Sequence, residues 1–541
     1  MRHLNFFSIA AIALACSMQA SAQTVTTDVM DPATEGSFMK IINDAKPGEH
    51  VDINFNFDGT ELVYKGTKAI DLQGKDITIN GLNAKNGKKV IFTSPVQKDE
   101  NNKEVGSSMF RVCKDTKLNL TNVQITGCQK IALFCENNGV LNISDCNFYN
   151  NKDIKLESGN NGGVLRHSGG TVVIERSVFE GNEGNGSYGG GAICAYNPKE
   201  KDKALSLTVR SCTFNNNTGI NGGAIAVNVR DYNCVPTVRI ENCTFSNNFI
   251  SNRGGAIYMQ DAHKPATNAE AFKPVFVNNT FVGNTTSITT SDDGGAINFW
   301  SRGTAVPMEP ILFNNLFASN YYDPFKINHL NDIKCFYLEG DKAGDEVMKQ
   351  TVNPKVANNI FGAVEDKFYV IFGSKNNNSA ANFDKDEIFL GKELNPFEDG
   401  DPKGTHFTAK LYGDLKVAAI AKNSVAIGKG VAKFEGIEAP TTDQFGNARP
   451  ATPSVGAAEY TDMTATGVKA VGATANGKLA VVNGAIVATG FEGAAKLDVI
   501  NVAGQWMLGA TVRSGERVAI DNLPAGVYVA RINGASVKFV K

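Results

Sequence analysis

Two short phrases recur in strict alternation between about Asn142 and Trp300, and they leave the chain few ways to fold. The first, Phe-x-x-Asn, runs Phe148 to Asn151, Phe179 to Asn182, Phe214 to Asn217, Phe245 to Asn248, Phe281 to Asn284 and, further on, Phe317 to Asn320. The second, Gly-Gly-Ala-Ile, begins at Gly190, Gly222, Gly254 and Gly294, with the variant Gly162-Gly163-Val164-Leu165 one unit earlier. Successive phenylalanines lie 31, 35, 31, 36 and 36 residues apart. A period of that size marks stacked copies of one supersecondary unit, a solenoid.

Its type follows from the residues around the phrases. An alternating apolar run precedes each Phe, as in Leu205 to Phe214 and Val238 to Phe245, and a second alternating segment follows each Gly pair, as in Ala224 to Val227 and Ala256 to Met259. Both read as strands, with no helical spacing between them. Strand-turn-strand units without a covering helix bury their apolar faces only by coiling and stacking on their neighbours. The fold class is therefore all-β: a right-handed parallel β-helix (solenoid), with coils about 4.8 Å apart, followed by a small C-terminal β-sandwich.

Each repeated residue then has an expected task. Phe points inward and stacks on the next Phe. Asn sits at a corner, tolerating left-handed dihedrals while its amide ladders with amides above and below. Gly-Gly makes a second corner with positive φ. The connection between them varies from four residues (Thr218 to Asn221) to ten (Lys152 to Asn161), as expected of exposed loops.

The pairing of Gly-Gly-Ala-Ile with Phe-x-x-Asn resembles the repeat of the polymorphic outer-membrane proteins, a family of surface adhesins first known from chlamydiae. The resemblance covers roughly residues 142 to 320 and implies a surface adhesin. Members of that family typically end in a large autotransporter β-barrel, for which this chain has no segment of sufficient length, so their export route does not carry over.

At the start, Arg2 and His3, the apolar run Phe6 to Ala15 and Ala20-Ser21-Ala22 read as a secretory signal peptide, residues 1–22, cleaved after Ala22. A lipoprotein site at Cys16 competes, but Ala13 stands where Leu is wanted. Elsewhere no apolar run approaches the length of a membrane-spanning helix. With 53 basic and 55 acidic residues the charge is nearly balanced, which gives no electrostatic case for nucleic acid. Ten cysteines, less Cys16 in the leader, leave nine. Cys146, Cys212 and Cys243 share one place, two before the repeat Phe, where Ser177 or Asn279 stands in other coils. Stacked side chains run parallel rather than facing each other, so these read as free thiols. No Cys-x-x-Cys pair and no His cluster suggests a metal, and no cofactor is expected.

Ser37 can cap a short helix within residues 34–46 whose Phe38, Ile41, Ile42 and Ala45 share one face, a plug for the first coil. Val51 to Phe57, Ala69 to Ile79 and Leu118 to Ile125 read as entry coils. Asn358-Asn359-Ile360-Phe361 is one more coil signature. Asp443 to Pro450 and Val455 to Tyr460 resemble the closing segment of many secreted bacterial β-helix proteins, so the helix is expected to span residues 23–460.

Residues 461–541 turn to short alternating strands: Lys478 to Val482, Ala485 to Ala488, Lys496 to Asn501, Arg517 to Ile520 and Val527 to Ile532, a compact β-sandwich. Val499 to Gln505, Leu523 to Val529 and Val537 to Lys541 closely resemble the C-terminal sorting domain of the type IX secretion system of Bacteroidota. That resemblance implies the secretion machinery as a partner and release or attachment at the cell surface or outer membrane. An ordinary terminal β-domain is the plainer reading of the same strands.

For function, two classes compete. A polysaccharide lyase needs a base beside a carboxylate, often with calcium, and a glycoside hydrolase needs two carboxylates across the sugar bond. The acidic candidates are Asp292 and Asp293, with Asp231 and Asp261 about one coil apart, but Asp292 and Asp293 precede a Gly-Gly corner where solvated turn acids are common. His167, two past Leu165, should point inside as a structural imidazole. No Gly-His-Gly or Arg-x-Lys companion of β-helix pectinases is present, so no catalytic residue is assigned. A binding face is easier to draw: Tyr196, Asn228, Gln260 and Trp300 fall at one outward position on successive coils. Rings and amides in a row suit sugar faces and hydroxyls, against the plainer reading of an ordinary exposed row. The reading is a secreted adhesin or glycan-binding protein with a glycan or host-surface ligand, the alternative a polysaccharide-degrading enzyme.

Overall fold

Each coil gives one strand to each of three long parallel sheets, because each coil carries three alternating segments separated by tight corners. The computed structural model describes residues 21–98, 101–102, 104–105, 107–153, 161–186, 189–196, 205–228, 236–260, 271–287, 294–301, 308–321, 332–337, 352, 354–362, 388–389, 396–397, 409–461, 478–482, 485–489, 494–501, 506–524, 526–532 and 535–541. Among these the sheets hold 11, 11 and 9 strands. One coil runs Leu205–Arg210 in the first sheet, Thr213–Asn215 in the second and Ile225–Asn228 in the third. The next coil pairs with it in parallel, Leu207 on Val238, Phe214 on Phe245 and Ile225 on Ile257. The chain is a parallel β-helix followed by a small β-sandwich.

Register places like on like inside the coils. Phe148, Phe179, Phe214, Phe245, Phe281 and Phe317 are fully buried, and neighbouring rings lie 4.7, 4.6, 5.0, 4.8 and 4.8 Å apart, nearly parallel. These separations equal the strand spacing, so each ring packs without leaving its rotamer well. Stacking adds about 0.5–1.5 kcal/mol per pair to plain burial.

The asparagine ladder runs inside, not at the corner. Asn151, Asn182, Asn217, Asn248, Asn284 and Asn320 are fully buried. Asn182 shows the pattern. Its backbone N–H and Nδ2 donate to Asn217 Oδ1 at 3.0 and 2.9 Å, and Nδ2 also donates to the Phe148 carbonyl at 3.0 Å. The left-handed residue is the one before: Asn150, Gly181, Asn216, Asn247, Gly283 and Ser319 have φ between 53° and 67°. The ladder ends where Asn320 Nδ2 donates to Asp332 Oδ1 at 2.9 Å, while Asp332 Oδ2 accepts the Gly362 N–H at 2.6 Å.

The glycine pair answers to crowding as much as to dihedral angle. Gly222 and Gly254 have the positive φ expected for the corner, whereas Gly162 and Gly190 do not. A Cβ on Gly191, Gly223 or Gly255 would collide with the carbonyl oxygen of Gly223, Gly255 or Gly295 one coil on, so the second glycine is fixed by backbone contact. The short connection Thr218–Asn221, expected as a loop, is itself a strand, and it forms a small parallel sheet with Phe249–Arg253 and Thr285–Thr286.

The cysteine column has a definite task. Ser177 Oγ accepts the Cys146 N–H at 3.1 Å, Cys243 Sγ accepts that of Cys212 at 3.5 Å, and Asn279 Oδ1 accepts that of Cys243 at 3.0 Å. Cys113, Cys128, Cys135, Cys146, Cys212 and Cys243 are buried free thiols, and Cys194 is buried as well.

At the amino end the helix Phe38–Asp44 starts at Ser37, whose hydroxyl accepts the Lys40 N–H at 3.1 Å. It buries Phe38 against Phe55, Phe92 and Phe110, 5.1 to 6.4 Å between ring centroids, and so covers the first coil. Ser21–Val25 forms a parallel strand with His50–Phe55, so cleavage after Ala22 would fall within that strand.

At the other end the structure departs from the expected 23–460 span of coils. Among the described residues the last coil strands are Lys355–Ala357, Ile360–Phe361 and Ile388–Phe389. Residues 409–461 do not extend the stack. They run back along its outside as a strap. Residues 478–541 form two antiparallel sheets of three and four strands around Ile486, Leu497, Val499, Val512, Tyr528 and Phe539. Trp506–Arg513 and Ala535–Val540 complete this sandwich beyond the five strands read from sequence.

Candidate functional site

The row drawn from sequence is real in register and wrong in exposure. Tyr196 pairs with Asn228, Asn228 with Gln260 and Gln260 with Trp300, all facing away from the interior. Yet Asn228, Gln260 and Trp300 are 0, 1 and 3% exposed, and Tyr196 is half-buried. The adjacent outward column, Cys194, Ala226 and Tyr258, packs with Trp300 into a separate apolar cluster. The Tyr258 hydroxyl donates to Gln260 Oε1 at 3.0 Å, and the Arg253 guanidinium lies 3.5 Å from the centre of the Trp300 ring. Alternation fixes which way a side chain points, but not what covers it. The Trp300 ring is not open to a sugar, and Tyr196 stands alone as the half-buried ring of the row.

A second candidate surface lies at the corner between the first and second sheets. Its corner residue, three before the repeat Phe or, in the first case, before Ile125, has positive φ in eight successive coils: Asn122, Asp145, Arg176, Ser211, Asn242, Asn278, Asn314 and Asn358. The strap uses the last four. Asn242 Nδ2 donates to the Thr442 carbonyl at 2.6 Å, and Asn278 Nδ2 to those of Ser454 and Gly456 at 3.0 and 3.2 Å. Asn314 gives Nδ2 to the Val431 carbonyl and takes the Val431 N–H, at 2.8 and 2.9 Å, while Asn358 Nδ2 reaches the Lys429 carbonyl at 3.0 Å. Outward threonines add to this: Thr244 Oγ1 donates to Gln444 Oε1 at 2.6 Å, and Gln444 Nε2 donates to Thr213 Oγ1 at 2.8 Å.

The strap is held in shape by one buried arginine. Arg449, 2% exposed in its side chain, pairs with Glu459 at 2.7 Å and donates to Asn242 Oδ1 and to the Gly456 and Ala457 carbonyls at 2.9, 2.9 and 3.1 Å. Asp443 accepts the Asn447 and Glu459 N–H groups at 2.8 and 2.9 Å. Burial, the largest influence, pushes the Asp443 carboxyl up. Its two backbone donors satisfy the ionised form.

Beyond Asn242 the strap no longer covers the corner, and the track opens into a groove of about 1150 Å³. One wall is strap, residues 413–416 and 440–446, and the other is coil. Here the corner residues are Asp145, Arg176 and Ser211, with Asn122 at the far end. Arg176 holds Asp145 through two bonds of 2.9 and 2.7 Å and lies 3.4 Å from Glu175. Arg210 bridges Glu175 and Glu241 at 3.1 and 2.7 Å, and Arg239 closes on Glu241 at 2.5 Å. Half-buried Tyr149 and Phe445 also line the groove. Lys416 lies 5.5 Å from the centre of the Tyr149 ring and pairs with Glu180. Burial, then the charges of Glu180 and Asp414, push the Tyr149 phenol up, so it stays protonated through neutral pH.

An arginine at φ 44° is an uncommon corner residue. The sequence carried this signal, since position three before Phe changes from Asn to Asp145, Arg176 and Ser211 in three consecutive coils. His167 is fully buried with Nε2 3.1 Å from the Ser206 carbonyl, and burial pushes its pKa down to about 4, the structural imidazole expected. Asp231, Asp261, Asp292 and Asp293 lie outside the described residues. Among the described residues no group of three or more His, Cys, Asp or Glu could hold a metal ion, and no helix is long and apolar enough to cross a membrane.

No protein-family model and no curated protein matches the chain. Among solved structures it is similar to a mutant of the PL6-family alginate lyase AlyGC, at 12% identity and a TM-score of 0.30, over 79% of this chain. The match spans 61% of that chain's length. An overlap at that score says nothing about chemistry.

Proposed function

We propose that this protein is a surface-displayed β-helix that holds a glycan chain in the groove where the strap leaves the coils. One observation carries the reading. The strap, an extended polypeptide, already follows this corner from Asn358 to Asn242, and the open groove continues the same track past Ser211, Arg176 and Asp145. A linear polymer fits such a track better than a compact ligand, and half-buried Tyr149 and Phe445 offer faces for sugar rings. Tyr149→Ala with Phe445→Ala should abolish binding on a glycan array while thermal unfolding of the coils is unchanged. Equal binding by the double variant would refute the site.

Cleavage of the glycan is the second reading. A protonated Tyr149 beside exposed Asp414 is the pair in the groove able to exchange a proton with a sugar oxygen. Release of reducing ends or unsaturated uronates, lost in Tyr149→Phe and in Asp414→Asn, would decide for it. Export belongs to the same proposal. The wording of residues 499–505, 523–529 and 537–541 supports a type IX sorting domain, the leader-like start supports secretion, and the repeated phrases support kinship with polymorphic outer-membrane adhesins. Deleting residues 461–541 should then leave the protein inside the outer membrane of a host that has that secretion system, and normal surface display of the deletion would remove that part.

A further inference from the structure

We infer that the groove takes a neutral, hydroxyl-rich glycan rather than a polyanionic one, an inference that rests on the groove being the glycan site. The charges that line it are Lys89, Arg176, Arg210 and Lys416 against Asp145, Glu175, Glu241, Asp414 and Asp443, four cations and five anions. None of the four cations is idle. Arg176 is spent on Asp145 and Glu175, Arg210 on Glu175 and Glu241, and Lys416 on Glu180. Lys89 Nζ donates to the Asp145 carbonyl at 2.6 Å and to Asn147 Oδ1 at 3.3 Å.

The pairs form a continuous ladder, Asp145, Arg176, Glu175, Arg210, Glu241, Arg239, with opposite charges adjacent at every step. A uronate or sulfated chain laid along it would bring one more negative group to each carboxylate, and could claim an arginine only by displacing a partner held at 2.7 to 3.4 Å. A neutral chain meets no such repulsion. Each of its hydroxyls can donate to a carboxylate and accept from a guanidinium on the next coil. Successive coils are about 4.8 Å apart, close to the advance of one pyranose unit along an extended glycan, so the alternation can be read sugar by sugar.

The test is binding of the intact protein to neutral glucan, mannan and galactan oligosaccharides and to polyuronate and sulfated oligosaccharides, each at low and high salt. Wild type should bind a neutral member, with affinity changing less than about twofold across the salt range. Asp145→Asn and Glu175→Gln, each of which removes one of the two carboxylates holding Arg176, the second also one of the two holding Arg210, should add polyuronate binding that weakens about tenfold or more in high salt. Thermal unfolding of both variants should stay near wild type, because the pairs are partly exposed. Tighter wild-type binding of a polyuronate, weakened by salt and lost in Tyr149→Ala, would overturn the neutral class and leave the groove standing. Binding of no member of the panel would overturn both.

Discussion

The same corner of the β-helix is treated in two ways along its length. At Asn242, Asn278, Asn314 and Asn358 the left-handed residue is a neutral amide that bonds the backbone of the strap. At Asp145, Arg176 and Ser211 it is charged or small, and the strap stands across the groove as its other wall. Backbone geometry is shared, with φ from 44° to 57° throughout. The difference lies in what meets the side chain: strap backbone at the four amides, and paired charges at Asp145 and Arg176. An amide can give and take hydrogen bonds with a polypeptide edge, while a ladder of paired charges offers bonds to hydroxyls.

If the strap is an accessory to a self-sufficient stack, damage to the coils must cost more than damage to the strap. Asn248→Leu leaves the Asn217 N–H and Nδ2, the Phe214 carbonyl and Asn284 Oδ1 each short of a partner. At roughly 1–3 kcal/mol per buried group, a loss on the order of 5 kcal/mol is expected in urea unfolding. A loss under about 1 kcal/mol would mean that the ladder is not what binds coil to coil. Arg449→Met leaves Glu459, 12% exposed in its side chain, bonded only to Ser454 and short of its cation, at about 3 kcal/mol. Here the loss should appear as proteolysis within residues 409–461 with coil circular dichroism intact. Simultaneous melting of both would erase the distinction.

Two buried groups sharpen the comparison through pH, with opposite signs. His167 is held neutral, its pKa pushed down to about 4 by burial, so it costs nothing above about 6.5 and destabilises as pH falls from there toward 4, by an amount on the order of 3 kcal/mol. His167→Leu should flatten that limb of a stability profile. Asp332, at the end of the ladder, is pushed by burial up to about 6 from 3.8. Its contribution is fully present below 3.8 and is lost as pH rises through about 6, so Asp332→Asn should remove that second, rising-pH limb. The smallest effect belongs to the groove. Asp145→Asn breaks a pair whose side chains are 36 and 44% exposed, so a change of about 0–1 kcal/mol is expected beside a large change in ligand preference.

Much of the stack was legible because period carries it. The recurring Phe gave the inward column, and Ser37 with Phe38, Ile41 and Ile42 gave the capping helix, since both depend on neighbours close in sequence or repeated at fixed intervals. The role of the repeat Asn was misplaced by one residue because Asn150-Asn151, Asn216-Asn217 and Asn247-Asn248 hide which of the two turns. Gly181 and Gly283, each just before the repeat Asn, mark the left-handed position. The strap is hidden in the sequence because its bonds reach side chains some 200 residues away, as Thr442 does to Asn242 and Gln444 to Thr244, and no local pattern records them. Burial of Tyr196, Asn228, Gln260 and Trp300 was hidden for a related reason: alternation tells inside from outside, not covered from bare.

The most direct test is hydrogen exchange of the intact protein with and without a saturating pool of neutral oligosaccharides. Slowed exchange in residues 145–149, 175–176 and 210–211 on the coils, together with 413–416 and 440–446 on the strap, is the expected result. Protection confined to 194–196, 226–228 and 258–260 on the third sheet, with the groove unchanged, would contradict it.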